Sequence, residues 1–243
     1  MRNSNAEAVR PPRDVVLIFD MDGTLLDARD AVIDAVGEGL DATYQHFDLP
    51  VPRRDRRRIA AAIGLPTPDF YREACDLDTV PEEIQDRFIG EFEVRSTRSE
   101  LAALQRGETD LYAGAEEALS ELAARGHPLS LISNANAPYF EAVVAVHRLR
   151  RFFSETLSLE LAMRRRLARS KAGIVRHIAD RFPGSVVIGD RVHDIEAGRR
   201  AGARTVGCLY GFGAPEEFAR ADWTIRDPRE LLALPLAAPA PED

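Results

Sequence analysis

Val15-Val16-Leu17-Ile18-Phe19-Asp20-Met21-Asp22-Gly23-Thr24-Leu25-Leu26-Asp27 is the stretch that decides how this chain reads. Its first five residues are an unbroken run of β-branched and large apolar side chains, the pattern of a strand buried on both faces. The run stops at two aspartates separated by one residue, followed by Gly23 and Thr24. In an open α/β sheet the C-terminal ends of the strands form the edge where ligands bind, so this carboxylate pair marks a candidate site.

Outward from that segment, Leu129-Ser130-Leu131-Ile132 and Val186-Val187-Ile188 read as further buried strands, Thr205 to Cys208 as a weaker fourth and Trp223 to Ile225 as a fifth. Helical patterns separate several of them. Ala115 to Arg125 turns Leu119 and Leu122 inward and stops at Gly126, and Ser170 caps a helix carrying Ile174, Val175 and Ile178. Strand alternating with helix implies an α/β fold with a parallel sheet. Residues 28–108 break the alternation: they contain no strand pattern but two amphipathic helix patterns, Ala31 to Phe47 and Pro81 to Val94. The expected organisation is therefore a discontinuous α/β core (14–27 and 109–236), an inserted α-helical cap domain (28–108), and tails at 1–13 and 237–243.

The second strand ends in Ser133-Asn134 and the third in Gly189-Asp190, with Asp194 following. Any one of these is an ordinary turn or helix cap. Three strand ends that deliver hydroxyl, amide and carboxylate groups to one edge point to a site. Asp20, Asp22, Asp190 and Asp194 crowded together repel, at about 4 kcal/mol per pair about 4 Å apart in an effective dielectric of about 20. Such an all-oxygen set suits Mg²⁺, which takes one or two carboxylates together with water and a substrate phosphate. The chain carries 32 basic residues, and Lys171 is the only lysine among them. Where arginine serves everywhere else, a single compact ammonium at a helix start is the candidate counter-charge for that cluster.

Composition narrows the function classes. With 45% hydrophobic and 30% charged residues the chain reads as an ordinary globular protein. A net charge of −8 opposes general nucleic-acid binding. The absence of a long apolar run and of an apolar N-terminal segment predicts no membrane partner and a cytoplasmic location. Cys75 and Cys208 stand in unrelated contexts and read as buried apolar residues rather than a disulfide or a zinc site. Monomer and homodimer both fit.

The segment Asp20-Met21-Asp22-Gly23-Thr24-Leu25-Leu26-Asp27 resembles the first signature of the haloacid dehalogenase superfamily in its phosphatase form. Ser133-Asn134, Lys171 and Gly189-Asp190 through Asp194 are similar to the second, third and fourth signatures, in the right order. Asp194-Ile195-Glu196-Ala197-Gly198 and Tyr210-Gly211-Phe212-Gly213 resemble the phosphoglycolate phosphatase-like branch, whose helical cap lies between the first two motifs. The resemblance implies a Rossmann-like core and a two-step phosphoryl transfer. Asp20 would be the nucleophile and Asp22 the general acid and base. Mg²⁺ would be held by Asp20, the Asp22 carbonyl and Asp190, with Asp194 orienting the metal's waters or Lys171. Ser133, Asn134, Lys171, Gly23 and Thr24 would hold the phosphoryl group. The second aspartate, Asp22, argues for phosphate chemistry over dehalogenation.

The implied partner is a small phosphorylated metabolite, with phosphoglycolate or a nucleoside monophosphate as examples. A sugar phosphomutase is the alternative. A phosphonate hydrolase needs a cap lysine, and the only lysine lies in the core. A phospho-receiver module, which also gathers acidic residues, a hydroxyl and a lysine around Mg²⁺, is the reading from another class. Within the cap, Gly64-Leu65-Pro66 is a candidate substrate-facing turn, Phe70 and Tyr71 read as cap core, and Arg53 to Arg58 as an exposed helix face. The basic stretch Met163 to Leu167 reads as a solvated helix face, and His193 is not a candidate metal ligand.

Overall fold

The computed structural model describes residues 14–236, so the expected tails at 1–13 and 237–243 lie outside the described residues. β1 (Val15–Phe19) is buried at every position. It lies between β4 (Leu129–Ser133) and β6 (Gly184–Gly189), parallel to both. Val15, Leu17 and Phe19 join the hydrophobic core on one face of the sheet, and Val16 and Ile18 join the core on the other. That alternation is the period of a strand, and apolar layers on both faces explain why its sequence is apolar at every position. At roughly 1.5–3 kcal/mol per large apolar side chain buried, this strand anchors the two cores to each other.

The complete sheet has six strands in the order β5-β4-β1-β6-β7-β8, all parallel, with β5 (Glu155–Ser158), β7 (Arg204–Cys208) and β8 (Trp223–Ile225). Helices α5 (Ala115–Ala124), α6 (Ala137–Val146), α7 (Leu159–Arg164), α8 (Lys171–Ala179) and α9 (Val192–Arg200) connect the strands. This is the expected α/β fold with one strand more. β5 has no apolar run to reveal it, because it is an edge strand buried only at Leu157 and Ser158.

A second, two-stranded antiparallel ribbon pairs β2 (Leu26–Asp27) with β3 (Asp110–Leu111). Between them the regular structure is helical: α1 (Arg29–His46), α2 (Arg56–Ala62), α3 (Thr67–Ala74) and α4 (Gln85–Gln105), with two 3-10 turns before α4. α1 packs along α4, and Tyr44, Phe88, Tyr71 and Phe92 meet edge to face between helices. α4 begins later and runs further than the expected 81–94 pattern. Pro81 opens a 3-10 turn (Glu82–Ile84) instead of the helix itself. Arg53 to Arg58 is exposed as expected, but only from Arg56 is it helical. Asp55 caps α2, accepting from the Arg57 and Arg58 amides.

Cys75 and Cys208 are free and buried. Among the described residues, no helix is long and apolar enough to cross a membrane.

Candidate active site

Because Phe19 pairs in register with Leu131 and Ile188, the three central strands end within two residues of one another. The residues that follow them therefore converge at one edge: Asp20 after β1, Ser133 and Asn134 at the end of β4, Asp190 after β6. Ser170 caps α8 by accepting from the Gly173 amide at 3.1 Å, which places Lys171 at the first helical position. Its ammonium donates to Asp20 Oδ1 and lies 2.6 Å from Asp194 Oδ1. Carboxylate oxygens of Asp20, Asp190 and Asp194, all buried, lie within 4.8 Å of one another.

Charge and burial pull against each other here. Burial pushes the Asp20 carboxyl well above its ordinary range; Lys171 opposes the shift, and Asp194 and Asp190 add to it. Burial, then Asp194, raises Asp190 to about 7. Burial likewise lifts Asp22 to about 6, against the Tyr139 hydroxyl, which donates to Asp22 Oδ1 at 2.9 Å. Lys171 moves the other way. Burial disfavours its charge, but Asp194 and Asp20 outweigh that and hold it above an ordinary lysine. Three buried carboxylates against one ammonium leave a net negative site built only of oxygen donors. That donor set fits a hard divalent cation, whose charge would keep all three ionised.

The structure assigns several expected site residues to other positions. Thr24 is fully buried and donates its hydroxyl to Asp190 Oδ1 at 3.0 Å, so it orients that carboxylate instead of meeting a phosphate. Gly23 donates its N–H to the Leu26 carbonyl and has φ +83°; a Cβ there would lie 2.1 Å from Asp190 Oδ2. Glycine at that position lets the turn press against Asp190. Asp194 accepts the Arg191 amide at Oδ2 (3.0 Å) and meets Lys171 at Oδ1, so both its oxygens are engaged.

Gly64 and Leu65 line a cavity of about 70 Å³ together with Asp20, Asp22, Ser133 and Lys171. Pro66 does not line it. It precedes α3 and faces a neighbouring groove with His193. Tyr71 is buried in the core as expected and also lines the cavity, as does Phe70. Ser133 Oγ accepts the Ala135 amide at 3.0 Å, and Asn134 Nδ2 donates to the Gly64 carbonyl at 2.8 Å. The stretch Met163 to Leu167 is exposed, with Arg164 paired to Glu160.

Sequence reasoning missed four contributors. Tyr139, on α6, reaches Asp22 across 117 residues of sequence. Glu100, on α4, lines the cavity as a buried carboxyl. Arg191 donates to the carbonyls of Ile63 and, at 3.5 Å, Ala61, and pairs with Glu217 at 3.2 Å. The Phe212 amide donates to Asp190 Oδ2 at 2.8 Å. Of these, only the Tyr210–Gly213 loop carried a local signal, its paired glycines.

A family model of haloacid dehalogenase-like hydrolases matches residues 16–202. The chain belongs to the haloacid dehalogenase-like hydrolases. It is 25% identical over 206 residues to a 5′-nucleotidase of Pseudomonas aeruginosa, covering 83% of this chain and 85% of that one. It is 23% identical over 220 residues to a phosphoglycolate phosphatase of Escherichia coli O157:H7, covering 82% of each. A haloacid dehalogenase-like hydrolase from Streptococcus pneumoniae has the same fold, with a TM-score of 0.71 at 18% identity over 91% of this chain and 98% of that one. The family match takes in Asp20, Asp22, Ser133, Lys171, Asp190 and Asp194, the residues that the sheet edge gathers.

Proposed function

We propose that this hydrolase is a Mg²⁺-dependent phosphatase that cleaves a small phosphorylated metabolite through an aspartyl-phosphate on Asp20. The observation that carries the reading is the pair Asp20 and Asp22 at one strand end, held in different environments. Asp20 is paired with Lys171 and Asp22 with the Tyr139 hydroxyl. A nucleophile needs a carboxylate, and a general acid needs a carboxyl that is partly protonated near neutrality. Asp22, raised to about 6, has that property.

In the first step an Asp20 carboxylate oxygen attacks phosphorus and the bond from phosphorus to the substrate alcohol breaks. Asp22 gives its proton to the departing oxygen. In the second, Asp22 takes a proton from water as that water attacks phosphorus, and the bond to Asp20 breaks, releasing phosphate. Ser133, the Asn134 backbone N–H and Lys171 hold the phosphoryl oxygens through both steps. Asp20, Asp190 and the Asp22 carbonyl would hold Mg²⁺, with Asp194 keeping Lys171 oriented. Bound there, the ion supplies the positive charge that lets phosphoryl and carboxylate oxygens approach.

Residues 28–108 act as the cap in this reading. They meet the core at the site itself, where Thr67 Oγ1 donates to the Asn134 carbonyl at 3.2 Å and Asn134 donates to Gly64. A cavity of about 70 Å³ beneath them suits a small ester. The similar 5′-nucleotidase and phosphoglycolate phosphatase are both phosphate monoester hydrolases, which supports the reaction class.

The test is phosphate release from a panel of phosphorylated metabolites and an aryl phosphate, with Mg²⁺ and with chelator. Release should need the metal, and Asp20→Asn should lower kcat by about a thousandfold or more. No release from any ester would overturn the hydrolase reading in favour of a phosphomutase.

A further inference from the structure

The cavity beside Asp22 is walled by apolar side chains of the helical insertion, among them Val32, Leu65 and Phe70, with one carboxyl, Glu100, set into it from α4. Glu100 is 7% exposed and Asn134 is 6% exposed. No described residue donates to Glu100 Oε2 or to Asn134 Oδ1. The Asn134 amide cannot be turned to relieve this. Its nitrogen donates to the Gly64 carbonyl, which can only accept, so the unpartnered atom is an acceptor.

Three neighbouring polar groups are engaged elsewhere. The Tyr139 hydroxyl serves Asp22, Thr67 Oγ1 serves the Asn134 carbonyl, and the Asn136 amide donates to Thr97 Oγ1 at 3.0 Å while accepting the Tyr139 amide. The one cation lining the cavity, Lys171, is held between Asp20 and Asp194. Two buried oxygens without partners are costly unless a ligand supplies them. A ligand carboxylate would place an unpaired charge beside Asp22 and Glu100, with no free cation among the described lining residues to meet it, whereas a ligand ammonium could pair with the ionised Glu100 carboxylate.

We propose that Glu100, together with Asn134 Oδ1, forms the subsite for the substrate's leaving group. It selects small phosphomonoesters whose alcohol carries a hydrogen-bond donor, ammonium or hydroxyl, and disfavours those whose alcohol carries a carboxylate. This rests on the phosphatase reading and narrows it. The specificity arises from pairing, because a site with unpaired buried acceptors discriminates against an analogue that lacks the matching donor. Burial, then Asp22 and Glu93, raises the Glu100 carboxyl to about 8, so that in the free enzyme it is largely protonated. A substrate ammonium would draw it into the ionised form.

Three esters of nearly equal size separate the chemistries: phosphoethanolamine, ethylene glycol monophosphate and phosphoglycolate. We expect the wild-type enzyme with Mg²⁺ to show kcat/KM about tenfold or more higher for the ammonium or hydroxyl ester than for phosphoglycolate. Glu100→Gln, which cannot ionise to meet an ammonium, should lower the ammonium-to-carboxylate ratio by about tenfold. Comparing the two donor esters tells which donor the subsite takes. Because the wild-type series needs no variant, a poorly folding Glu100→Gln leaves the test intact.

A wild-type preference for phosphoglycolate, or a ratio unmoved in a folded Glu100→Gln enzyme, overturns the proposal. Hydrolysis of p-nitrophenyl phosphate but of none of the three esters overturns it while sparing the phosphatase reading. No hydrolysis of any ester removes both.

Discussion

Glu100 carries a consequence for stability as well as for recognition. Its carboxyl is buried with no protein donor to Oε2, and its pKa is raised from 4.5 to about 8. Folding therefore takes up a proton at this residue. The stability it contributes is full below the unfolded value of 4.5 and is lost as pH rises through about 8. Each tenfold change in acidity is worth about 1.4 kcal/mol, so the loss amounts to a few kcal/mol. Thermal melts of wild type and Glu100→Gln should diverge between about pH 5 and about pH 9, the wild type losing several degrees relative to the variant. Parallel pH dependences would mean that solvent reaches the carboxyl. Tyr139 illustrates the opposite sign at the neighbouring group, since its hydroxyl donates to Asp22 and favours the carboxylate.

At the scale of elements, the loop after β7 is the least obvious part of the site. A Cβ on Gly211 would stand 2.2 Å from Asp190 Cβ and 2.4 Å from the Gly23 carbonyl, so two turns and a carboxylate close on one another with no room between them. Gly211→Ala should destabilise the protein by about 1–3 kcal/mol, the usual cost of overpacking. Because the displaced group is Asp190, the Mg²⁺ concentration for half-maximal activity should rise as well. A melt and a metal titration on the same preparation separate the two effects, and an unchanged metal requirement would show that Asp190 does not hold the ion. The strands were legible where they are buried on both faces, as in Val15–Phe19. The edge strand Glu155–Ser158 and the short ribbon of Leu26–Asp27 with Asp110–Leu111 were not, because partial burial and two-residue pairing leave no apolar pattern.

At the scale of the whole molecule, polar contacts help tie the helical insertion to the sheet edge, and Arg191 supplies two of them. It donates to the Ile63 and Ala61 carbonyls while braced by Glu217. Arg191→Ala should loosen the insertion over the site, raising KM about fivefold with a smaller change in kcat and speeding proteolysis between α1 and α3. An unchanged KM would show that Arg191 does not secure the closed arrangement.

By itself the sequence determined the fold class and the residues grouped at the strand ends. Buried strands write themselves as apolar runs, and the groups that follow them must share one edge of a parallel sheet. The lone Lys171 was conspicuous in the composition alone. Only the tertiary structure decided that Thr24 braces Asp190, that Tyr139 meets Asp22, and that Glu100 enters the cavity from α4. Those roles depend on distances across the folded chain between residues that, read locally, are an ordinary turn threonine, an ordinary helix tyrosine and an ordinary helix glutamate.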